Sequence, residues 1–399
     1  MMIAPLLTLA LFAWGSNGLA LPSIPFTGFE STSQSFIVKL KPGYSCQSHF
    51  SRIKGSLNKV ESSRATHFDS RIFNGYAIKL DDQATYKSLS LLDSVEYIEP
   101  DVMFSVASLV TQTNAPWGLH AITRSAPFPT SSESSAVLNY TYEYDSTAGQ
   151  GVDIYIVDSG VYSNHTDFAN RVEHSPVFAR YTTTGDIFGH GTHVAGIAAG
   201  TRFGVAKQAR IIDVKVITDT GRGFASDIIA GLSWAVARAN TTGRPSVFNL
   251  SLGGGTSTAL DDAVTGIVNA GIHTIVAAGN AGVDASGWSP ARVPGVIAIG
   301  NVDISGVRSE TSNYGSPVTV FAPGVNITSA GINGPTSSRV DSGTSMAAPH
   351  VAGLIAYLIG LEGQRTPSDM KTRVQELARV NVLSGIPNGT ANLMSQNAL

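Results

Sequence analysis

Apolar and polar positions change their rhythm once along this chain, near residue 110. Before that point, residues 35–40, 74–80 and 95–99 alternate apolar with polar side chains, the pattern of strands that bury one face. They predict a small α+β unit of about 70 residues. After it, Val- and Ile-rich runs at residues 152–157, 209–217, 246–252, 273–278 and 295–300 alternate with helical stretches near 191–200, 225–239, 258–270 and 346–361. Strands apolar on both faces and separated by helices predict an α/β fold, a mostly parallel sheet flanked by helices. No internal repeat is visible, and 399 residues suffice for the small unit plus one large domain.

Composition changes this picture in a few places. With 43% hydrophobic residues, 14% charged and 41 glycines, the chain is that of a loop-rich globular protein rather than a disordered or membrane-embedded one. A formal charge of −3 argues against a nucleic-acid partner. Cys46 is the only cysteine, so no intramolecular disulfide can form, and the larger unit must hold together by its core or by bound ions. Cys46 lies among Ser and Gln, far from the histidine motif, and reads as an incidental thiol.

An apolar run at residues 3–14 is short for a bilayer and is followed by Gly18 and Ala20, small residues at the spacing a signal peptidase reads. Residues 1–20 are expected to be a secretory signal, with an uncleaved anchor as the alternative. Asn-x-Ser/Thr sequons stand at Asn139, Asn164, Asn240, Asn249, Asn326 and Asn388. Asn249 lies inside an apolar strand and is expected to be unmodified; the other five are glycosylation candidates.

Candidate chemistry sits where glycine-rich turns meet these elements. Asp158 follows an apolar run at the edge where open α/β sheets place their sites, although a carboxylate before Ser159-Gly160 also caps turns. His190 opens a helix of small residues. His193, three residues on, invites a metal reading, but no Glu lies between the two and no third ligand is near, so the zinc-protease signature fails. His193 then reads as structural and His190 as the outward-pointing base. Ser345 follows Gly343-Thr344 at the start of an apolar helix, with Pro349 expected near its first turn. That position favours a developing oxyanion, though a plain Ser N-cap would look the same. Asn280, after Ala277-Ala278-Gly279, is either a tight turn or an amide donor aimed at the site.

Jointly these residues supply a hydroxyl to attack, an imidazole to take its proton, a carboxylate to orient the imidazole, and two oxyanion donors in the Asn280 side chain and the Ser345 N–H. The order Asp, His, Ser, with Ala347 where a final glycine would stand, excludes the Gly-x-Ser-x-Gly esterase pattern. An inactive peptide-binding homologue would need one of the four groups to be missing, and none is.

Asp158-Ser159-Gly160, His190-Gly191-Thr192-His193-Val194-Ala195-Gly196, Ser251-Leu252-Gly253-Gly254, Ala277-Ala278-Gly279-Asn280 and Gly343-Thr344-Ser345-Met346-Ala347-Ala348-Pro349-His350 resemble, in that order, the subtilisin-like serine proteases. The likeness is greatest to the proteinase K-like fungal branch and runs from about Asn114 to the C-terminus. It implies a secreted endopeptidase of broad specificity, with Asp158, His190 and Ser345 catalytic and Asn280 in the oxyanion hole. Substrate would lie extended between Ser251, Leu252 and Gly253 on one side and Gly221 and Gly223 on the other, near Gly279, with an apolar or aromatic residue before the scissile bond. Environmental or host protein is the implied target.

The resemblance further implies that residues 21–110, with a folded core at 35–102, are a propeptide acting as an intramolecular inhibitor. Self-cleavage between Phe104 and Thr111 would leave 111–399 as a monomeric catalytic domain. No catalytic cofactor and no nucleic-acid or membrane partner are implied. Relatives often hold structural calcium; the carbonyls of Pro294 and Val296 could contribute here, but Thr319 offers a hydroxyl where they use a carboxylate, a weaker ligand for a hard cation. The cysteines common in that branch are absent from 111–399.

Overall fold

The computed structural model describes residues 34–54, 57, 60–101, 108–123, 134–180 and 184–397. The expected signal segment and half of the expected self-cleavage window, residues 104–107, lie outside them. The chain divides into two compact units, Met1–Val102 and Met103–Leu399. That division falls ahead of the boundary expected at 110, and Leu109 and Val110 already pair with Asp145 and Tyr144 in the second unit.

The first unit is a four-stranded antiparallel sheet with two helices: β1 (Gln34–Leu40), α1 (Cys46–Ile53), β2 (Ala65–His67), β3 (Gly75–Leu80), α2 (Gln83–Ser90) and β4 (Val95–Pro100), in strand order β2-β3-β1-β4. The alternation read from the sequence sets its core: Phe36, Val38 and Leu40 of β1 and Tyr76, Ile78 and Leu80 of β3 are buried, while Ile37, Lys39, Ala77 and Lys79 between them are not. Ser45 caps α1 through a reciprocal bond with Ser48, and Asp82 caps α2 by accepting from Thr85 N–H. Cys46 Sγ donates to Gly75 O, and burial pushes its pKa up, which leaves it a packing residue and not a nucleophile.

The second unit holds a nine-stranded sheet in the order β18-β19-β15-β14-β12-β10-β7-β9-β8. Its strands are β7 (Asp153–Asp158), β8 (Val172–His174), β9 (Arg210–Lys215), β10 (Ser246–Leu250), β12 (His273–Ala277), β14 (Ile297–Val302), β15 (Val318–Pro323), β18 (Arg379–Val380) and β19 (Leu393–Met394). Every neighbouring pair is parallel except β18 with β19. Two-stranded antiparallel ribbons flank it: β5 (Leu109–Ala115) with β6 (Tyr140–Asp145), β11 (Gly254–Gly255) with β13 (Trp288–Ser289), and β16 (Ile327–Ala330) with β17 (Ser338–Asp341). The helices are α3 (Trp117–Ile122), α4 (His190–Ala199), α5 (Ala225–Thr242), α6 (Thr258–Asn269), α7 (Thr344–Glu362) and α8 (Pro367–Leu377).

Burial explains why these segments take these forms. All six residues of β7 are buried, and so are all five of β10 and of β12, so each needs cover on both faces. Helices α4 and α7 pack on each other and on β7, β10, β12 and β14, while α5 pairs with α6. Helix α7 is apolar around its whole circumference, long enough to cross a membrane, and mostly buried here as a core helix. Strands β9 and β10 flank β7 on opposite sides, so the sheet order reverses at β7, and a crevice opens beyond the carboxyl ends of β7, β10 and β12.

At the opposite, amino end of β7, Asp153 is fully buried and accepts from Arg238 Nη1 at 2.9 Å and Arg244 Nε at 2.7 Å. Asp153→Ala would take from Arg244 its carboxylate and leave Arg238 with Glu173 and Tyr155 alone. A loss of about 1–3 kcal/mol of stability is expected, read as a lowered thermal midpoint with unchanged turnover by the fraction still folded.

Candidate active site

Each candidate group reaches the crevice because a short, buried element ends there. Strand β7 ends on Asp158, whose side chain is 1% exposed, and its Oδ1 accepts from the Ser159 N–H and from His190 Nδ1, both at 2.7 Å. Because the carboxylate can only accept, the proton sits on Nδ1 and the lone pair of neutral His190 is on Nε2. Asp158 Oδ2 is buried without a partner among the described residues, so the carboxylate charge is spent mainly on the imidazole. Partial burial alone would depress the His190 pKa. The charge and hydrogen bond of Asp158, with Asp341 and Asp186 behind, outweigh it and hold the pKa above the usual 6.5.

The approach of α4 to β7 is possible only because residue 191 is glycine: a Cβ there would stand 2.2 Å from Gly160 O and 3.1 Å from Asp158 Cβ. His193, on the same helix, turns away and donates from Nε2 to Ile327 O and Arg339 O, fastening α4 to the β16–β17 ribbon. Burial holds its pKa down at about 4, consistent with a structural residue.

Ser345 is the second residue of α7, so its main-chain N–H has no acceptor within the helix. Pro349 lies in the second turn of that helix rather than the first, because the helix already begins at Thr344. A residue there would normally donate its N–H to Ser345 O; proline cannot, and Ser251 Oγ–H donates to that carbonyl instead, at 2.8 Å. Ser345 Oγ–H in turn donates to Ser251 O at 3.1 Å, and Asn249 Nδ2 donates to Ser251 Oγ at 2.9 Å. The hydroxyl is thus turned towards Ser251, and the structure has no hydrogen bond between Ser345 Oγ and His190 Nε2.

Asn280 is oriented by α7 itself. Its Oδ1 accepts from Thr344 N–H at 2.8 Å and from Thr344 Oγ1–H at 3.0 Å, which identifies the oxygen and leaves Nδ2 as an available donor. Gly279 before it has φ +106°, and a Cβ there would meet the Trp288 indole nitrogen at 2.6 Å, so only glycine fits.

Asp158, His190, Ser345, Asn280, Gly221, Gly223, Ser251, Leu252, Gly253 and Gly279 all line one cleft of about 690 Å³. Sequence reasoning missed several of its other walls, among them Phe188, Ile217, Ile228 and Trp288. No motif announces them, since they converge from separate segments, Ile228 from α5 and Trp288 from β13 among them. It also missed Asp186, whose only signal was a carboxylate just ahead of a helix start. Away from the cleft, Asn139, Asn164, Asn240, Asn326 and Asn388 are exposed, and Asn249 is fully buried in β10.

The residues present do not suit the calcium ion that the resemblance raised. The Val296 carbonyl accepts from the Lys371 ammonium at 2.9 Å, a cation already in place, and Thr319 Oγ1 accepts from Ala298 N–H. Among the described residues no group of three or more His, Cys, Asp or Glu is placed to hold a metal. Lys371→Met would strand the Val296 carbonyl. About 1–3 kcal/mol of stability should be lost, measured as a lowered thermal midpoint that added calcium does not restore.

Comparison with known proteins matches residues 149–393 to a family model described as the subtilase family of peptidases. The chain is 42% identical over 347 residues to "Subtilisin-like serine protease Pen ch 13" of Penicillium rubens, covering 86% of this chain and 83% of the relative. It is 38% identical over 397 residues to "Alkaline serine protease ver112" of Corniculantispora psalliotae, covering 99% and 98%. A crystal structure of a cold adapted subtilisin-like serine proteinase aligns with a TM-score of 0.65 at 39% identity, covering 72% of this chain and 99% of that one.

Proposed function

The chain belongs to the subtilase family of peptide-bond-hydrolysing serine proteases, and from that premise we propose that it is a secreted, broad-specificity endopeptidase made as a self-processing zymogen. The observation that carries the site assignment is the 2.7 Å bond from His190 Nδ1 to Asp158 Oδ1, in a cleft that also holds Ser345 and Asn280.

Ser345 is the nucleophile. Rotation about its side-chain bond takes the hydroxyl from Ser251 O to His190 Nε2, and hydrogen bonds of this kind often tighten only when substrate is bound. His190 accepts the Oγ proton as Oγ attacks the scissile carbonyl, and Asp158 stabilises the imidazolium so formed. The carbonyl oxygen becomes an oxyanion within reach of the Ser345 N–H and Asn280 Nδ2, two donors fixed before the reaction starts. His190 then gives its proton to the leaving amine, and water, activated by the same imidazole, releases the acyl group.

Substrate lies as an extended strand between residues 251–253 and 221–223, which pair with main chain and so demand little of sequence. The apolar walls formed by Phe188, Ile217, Leu252 and Trp288 support a preference for apolar or aromatic side chains. The separate apolar core of the first unit supports its reading as a propeptide that folds by itself and inhibits the second. Exposure of five sequons supports export and glycosylation.

A fluorophosphonate probe tests the site directly. It should attach to Ser345, located by peptide mass spectrometry, at a rate that rises with pH. Because the His190 pKa lies above 6.5, the base is protonated and idle below it, so the midpoint should lie above 6.5. Labelling of another residue, or a rate flat from about pH 5 to about 9, would sink the assignment.

A further inference from the structure

We propose that Asp186 is a positioning residue for this site, a buried carboxylate that ties the strand end carrying Asp158 to the helix start carrying His190. The inference rests on the reading of those two residues as the catalytic pair.

Asp186 is 8% exposed and faces donors on all sides. Its Oδ1 accepts from Ser159 Oγ–H at 2.9 Å and Gly189 N–H at 2.8 Å, and its Oδ2 accepts from Thr192 N–H at 2.9 Å and Thr192 Oγ1–H at 2.6 Å. Two of these bonds belong to longer relays. Ser159 Oγ also accepts from Gly191 N–H at 2.9 Å, and Thr192 Oγ1 accepts from Tyr162 N–H at 2.9 Å. Residues 159 and 162 follow Asp158 directly; residues 189, 191 and 192 flank His190. Both relays end on the one carboxylate.

A carboxylate that merely capped α4 would need the helix N–H groups alone. Here one of its oxygens also holds Ser159, the residue next to Asp158, which a cap does not require. Neighbouring elements brace the same segments from outside: Lys215 of β9 donates to Ser159 O at 2.5 Å and to Asp219 Oδ1 at 3.0 Å. Arg339 of β17 donates to Phe188 O at 3.1 Å and pairs with Asp341 at 2.7 Å. No Lys or Arg side chain pairs with Asp186 among the described residues, so its charge is balanced only by hydrogen bonds and acts on the nearby His190. The charges acting on His190 are those of Asp158, Asp341 and Asp186; the cations Lys215 and Arg339 are held on the adjoining Ser159 and Phe188 carbonyls, and burial holds the His193 pKa down at about 4.

Asp186→Asn keeps the shape but turns an NH₂ towards one pair of donors, which breaks one relay and removes the charge. Turnover should fall by about 10- to 100-fold, with KM within about twofold, because the substrate rails are untouched. The acid limb of kcat/KM should move to lower pH, since a negative charge near the imidazolium has gone. Ser159→Ala is the companion variant: it cuts a relay at constant charge, so kcat should drop while the acid limb stays in place. Active-site titration with a fluorophosphonate normalises each rate to folded sites.

If Asp186→Asn lowers only the thermal midpoint, with wild-type kcat and acid limb per titrated site, Asp186 is a structural cap and the proposal fails. Should that variant not fold, Ser159→Ala decides alone, and wild-type kcat there overturns the proposal. Ser345→Ala, assayed alongside, separates the two failures: hydrolysis by it within about 10³-fold of wild type overturns the catalytic reading, whereas a Ser345→Ala variant below that level beside a fully active Asp186→Asn overturns only the role of Asp186.

Discussion

Ser345→Ala is expected to leave the chain at full proprotein length and without measurable hydrolysis of casein. Two consequences of one missing oxygen are combined in that outcome. Without Oγ there is nothing for His190 to deprotonate, and kcat should fall by about 10⁶-fold, a scale taken over from subtilisin, the family's own archetype. If maturation is self-cleavage, the same loss blocks it, and the first unit stays covalently attached to the second. The substitution removes a half-buried hydroxyl and its single hydrogen bond to Ser251 O, so stability should fall by only about 1 kcal/mol. The checks are gel mobility of the purified protein and a casein assay. A variant that still trims itself to a fragment of about 290 residues, the length expected from the catalytic domain, would show that another nucleophile or another protease does the work.

Asn280→Ala should give the second largest effect, a fall in kcat of about 10²–10³-fold, again a magnitude known from subtilisin itself, with KM little altered. Its amide has one atom spent on Thr344 and the other left for the reaction. Removing it deletes a donor needed only when the carbonyl oxygen becomes charged, so substrate binding should be spared. Leucine at 280 should behave like alanine, and so should aspartate, which has no donor to offer. Steady-state kinetics on one peptide substrate decide it: a rise in KM at constant kcat would place Asn280 in ground-state binding instead.

The parts of this molecule legible from sequence are those in which chemistry and backbone requirement coincide over a few residues. Gly343-Thr344-Ser345 and His190-Gly191 each combine a reactive side chain with a glycine the backbone demands, Gly343 for its φ of +147° and Gly191 for the close packing of helix on strand, so local pattern and three-dimensional role carry the same message. The continuous apolar runs of β7, β10 and β12 announced a two-sided sheet for the same reason. Helices α1 and α2 were not named because their sequences are polar and short, and only their caps and the core of the first unit fix them. Strand β15 follows a loop and contains Thr319, so its apolar run is broken in sequence although all six residues are buried in the fold.

Other features had no local trace at all. Ser251 and Ser345 are 94 residues apart, and the exchange of bonds between them depends on an N–H that Pro349 lacks. Lys371 and Val296 meet across 75 residues, and nothing in either segment says that an ammonium will lie where a divalent cation was in question. Asp186 shows the intermediate case. Its position before a helix start could be read as a cap, but its bond to Ser159 could not, because β7 and α4 are joined only by folding.

The half-buried thiol of Cys46, held against Gly75 O in the first unit, is the chain's single sulfhydryl. Residues 103–399 contain none, so their folding is indifferent to redox potential, and the same domain can be made in a reducing cytosol or an oxidising medium without mispairing.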